Sequence, residues 1–131
     1  MAVEVLVLGA GGFDNEGLPF NSFLIDGHLL VDCPPDILVS LGREKIHLSA
    51  IDSVFVSHTH GDHLFGLPFL LFHFWKRGLV PPRLVGPFDL KEALLAVAAL
   101  AIDPGHPYIP WIKASCRFEV VGGGKAQALA G

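Results

Sequence analysis

Short runs of apolar residues, many of them β-branched, alternate with glycine, proline and acidic residues along this chain. Each run has the length of a strand rather than that of a helix. We predict strands at residues 3–8, 21–26, 29–32, 50–57, 83–86 and 116–121. Residues 3–8 are nearly all apolar, which predicts a buried strand, and Gly27 with His28 predicts a tight hairpin turn between the second and third strands.

Longer apolar stretches lie between these strands and predict helices. Proline in the first turn indicates a helix that opens at Pro34-Pro35-Asp36 and runs to about residue 45. Further helices are predicted at residues 64–76 and 90–102, followed by a proline-bearing loop at 103–110 and a glycine turn or link at 122–124. Strand hairpins followed by alternating helices and strands indicate an α/β layered architecture. No domain boundary is visible, so we expect one domain over residues 1–131.

A dense set of metal ligands, Ser57-His58-Thr59-His60-Gly61-Asp62-His63, follows the predicted fourth strand. His58 and His60 are two residues apart at a strand end, so their side chains point to the same side. Gly61 allows a sharp turn that brings Asp62 and His63 toward the same space. The simplest interpretation is two nitrogen ligands for one cation and a carboxylate with an imidazole for a second, with a bridging water. The alternatives are ordinary surface or core histidines, or weak metal binding in a disordered tail.

Composition adds bounds on the partners of this chain. Hydrophobic residues make up 51% and the mean hydropathy is +0.52, which favours strands covered on both faces or a surface that meets another molecule. The net charge is −4, so capture of nucleic acid by charge is weakly supported, although a nucleic-acid substrate stays possible. Cys33 and Cys116 form no close pair, which favours reduced, buried thiols in a cytoplasmic protein. We predict neither a signal peptide nor a membrane span.

Several weaker sequence signals lie outside the histidine cluster. Gly9-Ala10-Gly11-Gly12 follows a strand, but a dinucleotide-binding fingerprint needs glycine where Asp14 stands, so we expect a loop near the site. Asp32 ends a strand and has two readings of equal weight: it orients a metal-ligating histidine, or it is a charge at a helix N-terminus. For His106 we expect a surface loop rather than a ligand.

The cluster at residues 58–63 matches the HxHxDH signature of the metallo-β-lactamase superfamily, which the chain resembles over nearly its whole length. The predicted early hairpin ending in Asp32 is similar to that of the family. Gly66-Leu67-Pro68 is most similar to ribonuclease Z, the tRNA-processing enzyme, and to related phosphodiesterase branches. Asp32-Cys33-Pro34-Pro35-Asp36 departs from the glycine-rich turn of ribonuclease Z and is nearer to small cyclic-phosphodiesterase-like members.

The resemblance implies an αββα sandwich of two similar halves, of which this chain looks like the N-terminal one. It implies that His58 and His60 bind a first metal and that Asp62 and His63 bind a second. It also implies that Asp32 orients one of these ligands without binding the metal itself. The family completes both sites with later histidines and a bridging aspartate that we do not find before Gly131. We therefore expect weak metal affinity of the isolated chain, and a dimer, a completing subunit or poor solubility.

The function implied by the resemblance is that of a metal-dependent hydrolase, most simply a dinuclear zinc phosphodiesterase or ribonuclease. A metal-bound hydroxide would be the nucleophile, Asp62 would be the catalytic residue, and manganese or iron could replace zinc. One alternative is hydrolysis of a lactone, thioester or β-lactam. Two others are a non-catalytic half that pairs with another subunit and a domain that stores or senses metal.

Overall fold

A computed structural model describes residues 2–14 and 17–124. One six-stranded sheet runs through it in the order β1-β2-β3-β4-β5-β6. The strands are β1 (Val5–Gly9), β2 (Ser22–Ile25), β3 (Leu29–Val31), β4 (Ser53–Phe55), β5 (Arg83–Gly86) and β6 (Phe118–Val120). β1, β2 and β3 form an antiparallel meander, whereas β3 to β6 pair in parallel. The parallel strands therefore all end at the same rim of the sheet.

Within the described part of the chain, five helices connect and cover these strands. They are α1 (Ile37–Arg43), α2 (Gly61–Leu64), α3 (Leu67–Lys76), α4 (Leu90–Ala101) and α5 (Tyr108–Ser115). A short 3₁₀ turn, Leu48–Ala50, precedes β4. Each helix contributes buried side chains to one apolar core, where they meet Leu8, Leu24, Leu30, Val54 and Leu84 from one face of the sheet.

The opposite face of the sheet is also apolar. Cross-strand pairing lines up a row of five residues, Val7, Phe23, Val31, Phe55 and Val85, and continues it to Glu119 on β6. None of the five belongs to the core beneath the helices. We call this surface the open face, because Val5 and Val7 at its β1 end are 53% and 58% exposed, whereas Val85 at its other end is buried. The prediction of a buried first strand is therefore wrong: β1 alternates between the core and the open face.

The predicted helix at residues 64–76 is interrupted in the structure. α2 ends at Leu64, and α3 begins at Leu67. The Gly66 N–H donates to the Cys33 carbonyl at 2.9 Å instead of continuing the helix. A Cβ at Gly66 would lie 1.9 Å from the Pro34 carbonyl oxygen, so only glycine lets the two segments approach this closely.

The predicted loop at residues 103–110 is wrong at its end, because α5 already begins at Tyr108. Pro110 lies in the first turn of α5, where the missing N–H has no helical acceptor to lose. The last strand is correspondingly shorter than predicted, since Cys116 is the residue that ends α5. The fourth strand is also shorter than predicted, and Ala50 belongs to the 3₁₀ turn.

Two absences predicted from composition can be compared with the described residues. In that part of the chain, no helix has the length and apolar character needed to cross a membrane. Cys33 and Cys116 are both buried and unpaired with one another, as predicted. Burial raises the pKa of the Cys33 thiol well above its usual value, and the neighbouring Asp32 carboxylate raises this pKa further, which favours the neutral thiol over the thiolate.

Candidate metal centre

Asp32 occupies the rim where β3 and β4 end side by side. Val31 pairs with Phe55 in the last register position of both strands, and the Asp32 N–H donates to the Phe55 carbonyl at 2.7 Å. The Asp32 backbone has a φ of 62°, a left-handed conformation that aspartate tolerates better than most residues. With 5% of the residue exposed, its carboxylate is directed into the space in front of residue 57.

The Asp32 carboxylate is the acceptor for several neighbouring groups. Oδ1 accepts the Ser57 N–H at 2.8 Å, and Oδ2 accepts the Ser57 hydroxyl at 3.1 Å. His63 Nδ1 lies 2.6 Å from the same Oδ2. Because an ionised carboxylate only accepts, His63 Nδ1 carries a proton and donates it to Asp32 Oδ2, while His63 Nε2 faces Asp62. This is the arrangement by which carboxylates orient metal-ligating imidazoles.

The short helix α2 is fixed to the turn after β3 by its backbone. The Cys33 N–H donates to the His63 carbonyl at 2.8 Å, and the Gly66 N–H donates back to the Cys33 carbonyl at 2.9 Å. These two bonds hold His63 opposite Asp32 whether or not their side chains interact. Local backbone geometry, as well as side-chain chemistry, therefore sets the position of the imidazole.

Three of the four predicted ligands converge. One ligand atom each from His58, Asp62 and His63 lies within 4.8 Å of the others. The Asp62 Oδ2 is 3.1 Å from His63 Nε2, and Asp62 Oδ1 is buried without a hydrogen-bond partner. A buried carboxylate oxygen without a partner is costly, and a cation would satisfy it. The donor set of two imidazoles and a carboxylate fits Zn²⁺, and also Mn²⁺ or Fe²⁺.

His60 is the predicted ligand that stays apart from the other three. His60 is exposed, and its ring stands edge-on to that of His58 with 4.8 Å between centroids, outside the converging group. His58 is instead stacked on His63 at 4.0 Å between centroids. The division into a His58–His60 ion and an Asp62–His63 ion stays a prediction.

His106 lies elsewhere, in an aromatic cluster between α3 and α5. Its ring contacts Phe72, Trp75 and Tyr108 with centroid distances of 5.0 to 5.6 Å, and its Nδ1 accepts the Tyr108 N–H at 3.1 Å. The residue lies in the loop before α5, as predicted, but it is half-buried rather than exposed. Its contacts give it a structural part at the start of α5.

Sequence reasoning passed over two polar residues of this region. No role is predicted for Ser57 from the sequence, yet its hydroxyl lies 3.1 Å from both Asp32 Oδ2 and His58 Nδ1. The Thr59 hydroxyl donates to Asp89 Oδ2 at 3.3 Å and so ties the histidine segment to the start of α4. The signal for Ser57 was its place beside His58, directly after a strand.

A family model described as "Anti-Pycsar protein Apyc1" matches residues 3–98 of the chain. The chain belongs to this family. Its curated relatives include Ribonuclease Z of Clostridium beijerinckii, 30% identical over 108 residues, which cover 76% of this chain and 34% of the relative. Ribonuclease Z of Ignicoccus hospitalis is 40% identical over 96 residues, covering 70% of this chain and 32% of the relative.

Solved structures show the same fold. The metallo-β-lactamase fold protein YhfI from Bacillus subtilis superposes with a TM-score of 0.65 at 21% identity, over 93% of this chain and 47% of that protein. This chain therefore has the metallo-β-lactamase fold, and the predicted fold class is confirmed. Its relatives named Ribonuclease Z agree with the predicted resemblance to that branch. It spans about a third of the length of the curated relatives it matches.

Proposed function

We propose that the chain carries the metal-ligating part of a hydrolase that cleaves phosphodiesters. The observation that carries the proposal is the buried, unpartnered Asp62 Oδ1 beside His58 and His63. A cation bound between these three side chains would satisfy this oxygen. The relatives named Ribonuclease Z support the reaction class.

Each residue has a definite task in this proposal. His58, Asp62 and His63 would hold a metal ion, and His60, which is exposed beside His58, would contribute to a second ion. When bound, zinc ions would polarise the phosphoryl oxygen and acidify a water so that it can attack at neutral pH. Asp62 would orient that water, while Asp32 keeps the proton of His63 on Nδ1.

The substrate is proposed from chemistry as a phosphodiester, with RNA one member of that class. The described residues bear no concentrated positive charge that would capture a long nucleic acid, and the chain has a net charge of −4. A small phosphodiester therefore fits this part of the protein better than a long RNA. The buried, unpaired cysteines accord with a reducing compartment such as the cytoplasm.

A completing polypeptide is the second part of the proposal. Three converging ligands and an apolar open face are features of a site and a core that continue into further structure. The remaining ligands would come from additional residues of a longer protein, from a separate subunit, or from a second copy of this chain. In the last two cases, a non-catalytic half on its own becomes active when paired.

The test measures metal content by elemental mass spectrometry and turnover of bis-p-nitrophenyl phosphate on the purified chain. We expect bound zinc, manganese or iron in the wild type and at least about a tenfold loss of metal affinity in Asp62→Ala. Asp52→Ala, an exposed aspartate at the opposite rim, is the matched control and should bind metal like the wild type. Equal metal content in Asp62→Ala and wild type would overturn the proposal.

A further inference from the structure

Ser57 lies between a carboxylate and an imidazole that do not touch each other directly in the described contacts. Its hydroxyl oxygen is 3.1 Å from Asp32 Oδ2 on one side and 3.1 Å from His58 Nδ1 on the other. The distance from the same oxygen to His63 Nδ1 is 3.4 Å, longer than the 2.6 Å from that nitrogen to Asp32 Oδ2. The main hydrogen-bond partner of His63 Nδ1 is therefore Asp32. The Ser57 hydroxyl oxygen remains available as a partner for His58 Nδ1.

The direction of these hydrogen bonds follows from the donor inventory. An ionised carboxylate has no proton, so the Ser57 hydroxyl donates its single proton to Asp32 Oδ2. The Ser57 oxygen is then an acceptor toward His58 and requires a proton on His58 Nδ1. This leaves His58 Nε2 as the nitrogen without a proton, and the direct contact with Asp32 likewise places a proton on His63 Nδ1.

We propose that Ser57 is a positioning residue that relays the Asp32 carboxylate to His58. One buried carboxylate then sets the tautomer and ring orientation of two imidazoles, His63 directly and His58 through the hydroxyl. Both present Nε2, the nitrogen with which they would bind the cation; this last step rests on the proposed function. The tautomer of His58 is independent of it and can be observed without metal.

A variant without the hydroxyl should keep the local fold. The Ser57 N–H donates to Asp32 Oδ1 at 2.8 Å, and this backbone contact persists in Ser57→Ala. Residue 57 is exposed, so the extra methyl group of Ser57→Thr has room and retains a hydroxyl. Ser49, an exposed serine in the 3₁₀ turn before β4, provides the matched control Ser49→Ala.

The first experiment records long-range ¹H–¹⁵N correlations of the histidine rings in the metal-free chain at about pH 8.5, where imidazoles are neutral. We expect the Nδ1–H tautomer at both His58 and His63 in the wild type. In Ser57→Ala, His58 should change to mainly Nε2–H while His63 stays unchanged as the internal control. Ser57→Thr should restore the wild-type spectrum. An unchanged His58 tautomer in Ser57→Ala would overturn the proposal.

The second experiment titrates Co²⁺ into the same variants and follows its visible absorption. We expect Ser57→Ala to weaken Co²⁺ binding by about tenfold and to alter the ligand-field bands, and Ser57→Thr and Ser49→Ala to match the wild type. Equal affinity and spectrum in Ser57→Ala would overturn the metal-positioning role. A wild-type chain that binds no Co²⁺ would overturn the proposed function, while the ring tautomers would still decide the assignment of Ser57.

Discussion

The two ends of β3 and β4 each carry a pair of aspartate and histidine, and the two pairs behave as opposites. His28 precedes β3 and Asp52 precedes β4, with 2.8 Å between His28 Nδ1 and Asp52 Oδ1. Asp32 follows β3 and His63 comes shortly after β4, with 2.6 Å between His63 Nδ1 and Asp32 Oδ2. The side chains of His28 and Asp52 are 52% and 67% exposed. Those of His63 and Asp32 are 15% and 7% exposed.

The difference shows that surroundings, rather than the pairing itself, make a candidate site. The His28–Asp52 pair is open to water, which screens its charges and can replace each partner. Around Asp32 the Ser57 N–H, the Ser57 hydroxyl and the His63 ring converge on a carboxylate excluded from water. Electrostatic and hydrogen-bond effects are stronger there because the local dielectric constant is lower.

The largest effect that would test this contrast is expected from Gly66→Ala. A Cβ at this position would lie 1.9 Å from the Pro34 carbonyl oxygen, which is backbone and cannot rotate away. We expect α2 to be pushed from the turn after β3 and the free energy of unfolding to fall by about 3 kcal/mol. The decrease can be measured by urea denaturation of the purified chain.

Gly42→Ala is the matched control for this substitution. A Cβ at Gly42, in α1, would meet nothing within 4 Å, so only helix propensity changes. Alanine should stabilise the chain by about 0.5 kcal/mol, because glycine loses more conformational entropy in a helix. Similar stabilities for the two variants would show that the approach of Gly66 to Pro34 is not needed to hold the Asp32 rim together.

Asp32→Asn is the next prediction, because it changes the charge of the buried pair and little else. Asparagine also tolerates the left-handed backbone at φ 62°. The Ser57 N–H and His63 Nδ1 now contact different carboxylate oxygens, and the single amide oxygen of asparagine can take the place of only one of them. His63 should therefore lose its fixed tautomer. We expect metal affinity to fall by about 10- to 100-fold, measured by competition with a chromogenic chelator.

Asp26→Asn distinguishes a site effect from a general cost of removing an aspartate from a turn. Asp26 also has positive φ, at 50°, but it lies in the exposed β2–β3 turn, where its carboxylate accepts the Glu4 N–H at 2.9 Å. Metal affinity should be unchanged in this variant. If both substitutions weaken metal binding alike, Asp32 has no special relation to the ligands.

The positions of the strands along the chain and of the histidine cluster were predictable, because each depends on the local pattern of residues. Residues 83–86 were predicted at their observed limits, and the residues at 58–63 could be placed at a strand end from apolar runs alone. The convergence of His58 with Asp62 and His63 was less accessible. It depends on the turn through α2, where the sequence shows only a glycine.

The elements that were missed depend on contacts distant in sequence. The break between α2 and α3 follows from a hydrogen bond from Gly66 to Cys33, which is far away along the chain. The exposure of β1 reflects what covers the open face, which an apolar run cannot reveal. The contact between the Ser57 hydroxyl and Asp32 depends on the register in which β3 and β4 pair, which the sequence does not show.

The smallest effect is expected from Asp52→Asn at the exposed rim. Burial alone would raise the pKa of Asp52, but hydrogen bonds with His28 and Ser53 and the charges of His28 and Arg83 outweigh it and lower this pKa. A lowered carboxyl pKa stabilises the folded chain above the unfolded value near 3.9, and this contribution is lost as the pH falls through the folded pKa. Because the pair is largely exposed, the contribution at neutral pH should stay below about 1 kcal/mol.

The measurement is the free energy of unfolding of wild type and Asp52→Asn across an acid titration, at low and at high salt. We expect a small deficit of the variant at about pH 6 that shrinks toward about pH 3 and also shrinks when salt is added. A deficit well above about 1 kcal/mol at about pH 6, or one that resists salt, would contradict the contrast between the two rims. It would mean that the pairing of the two side chains, and not their burial, sets the energy.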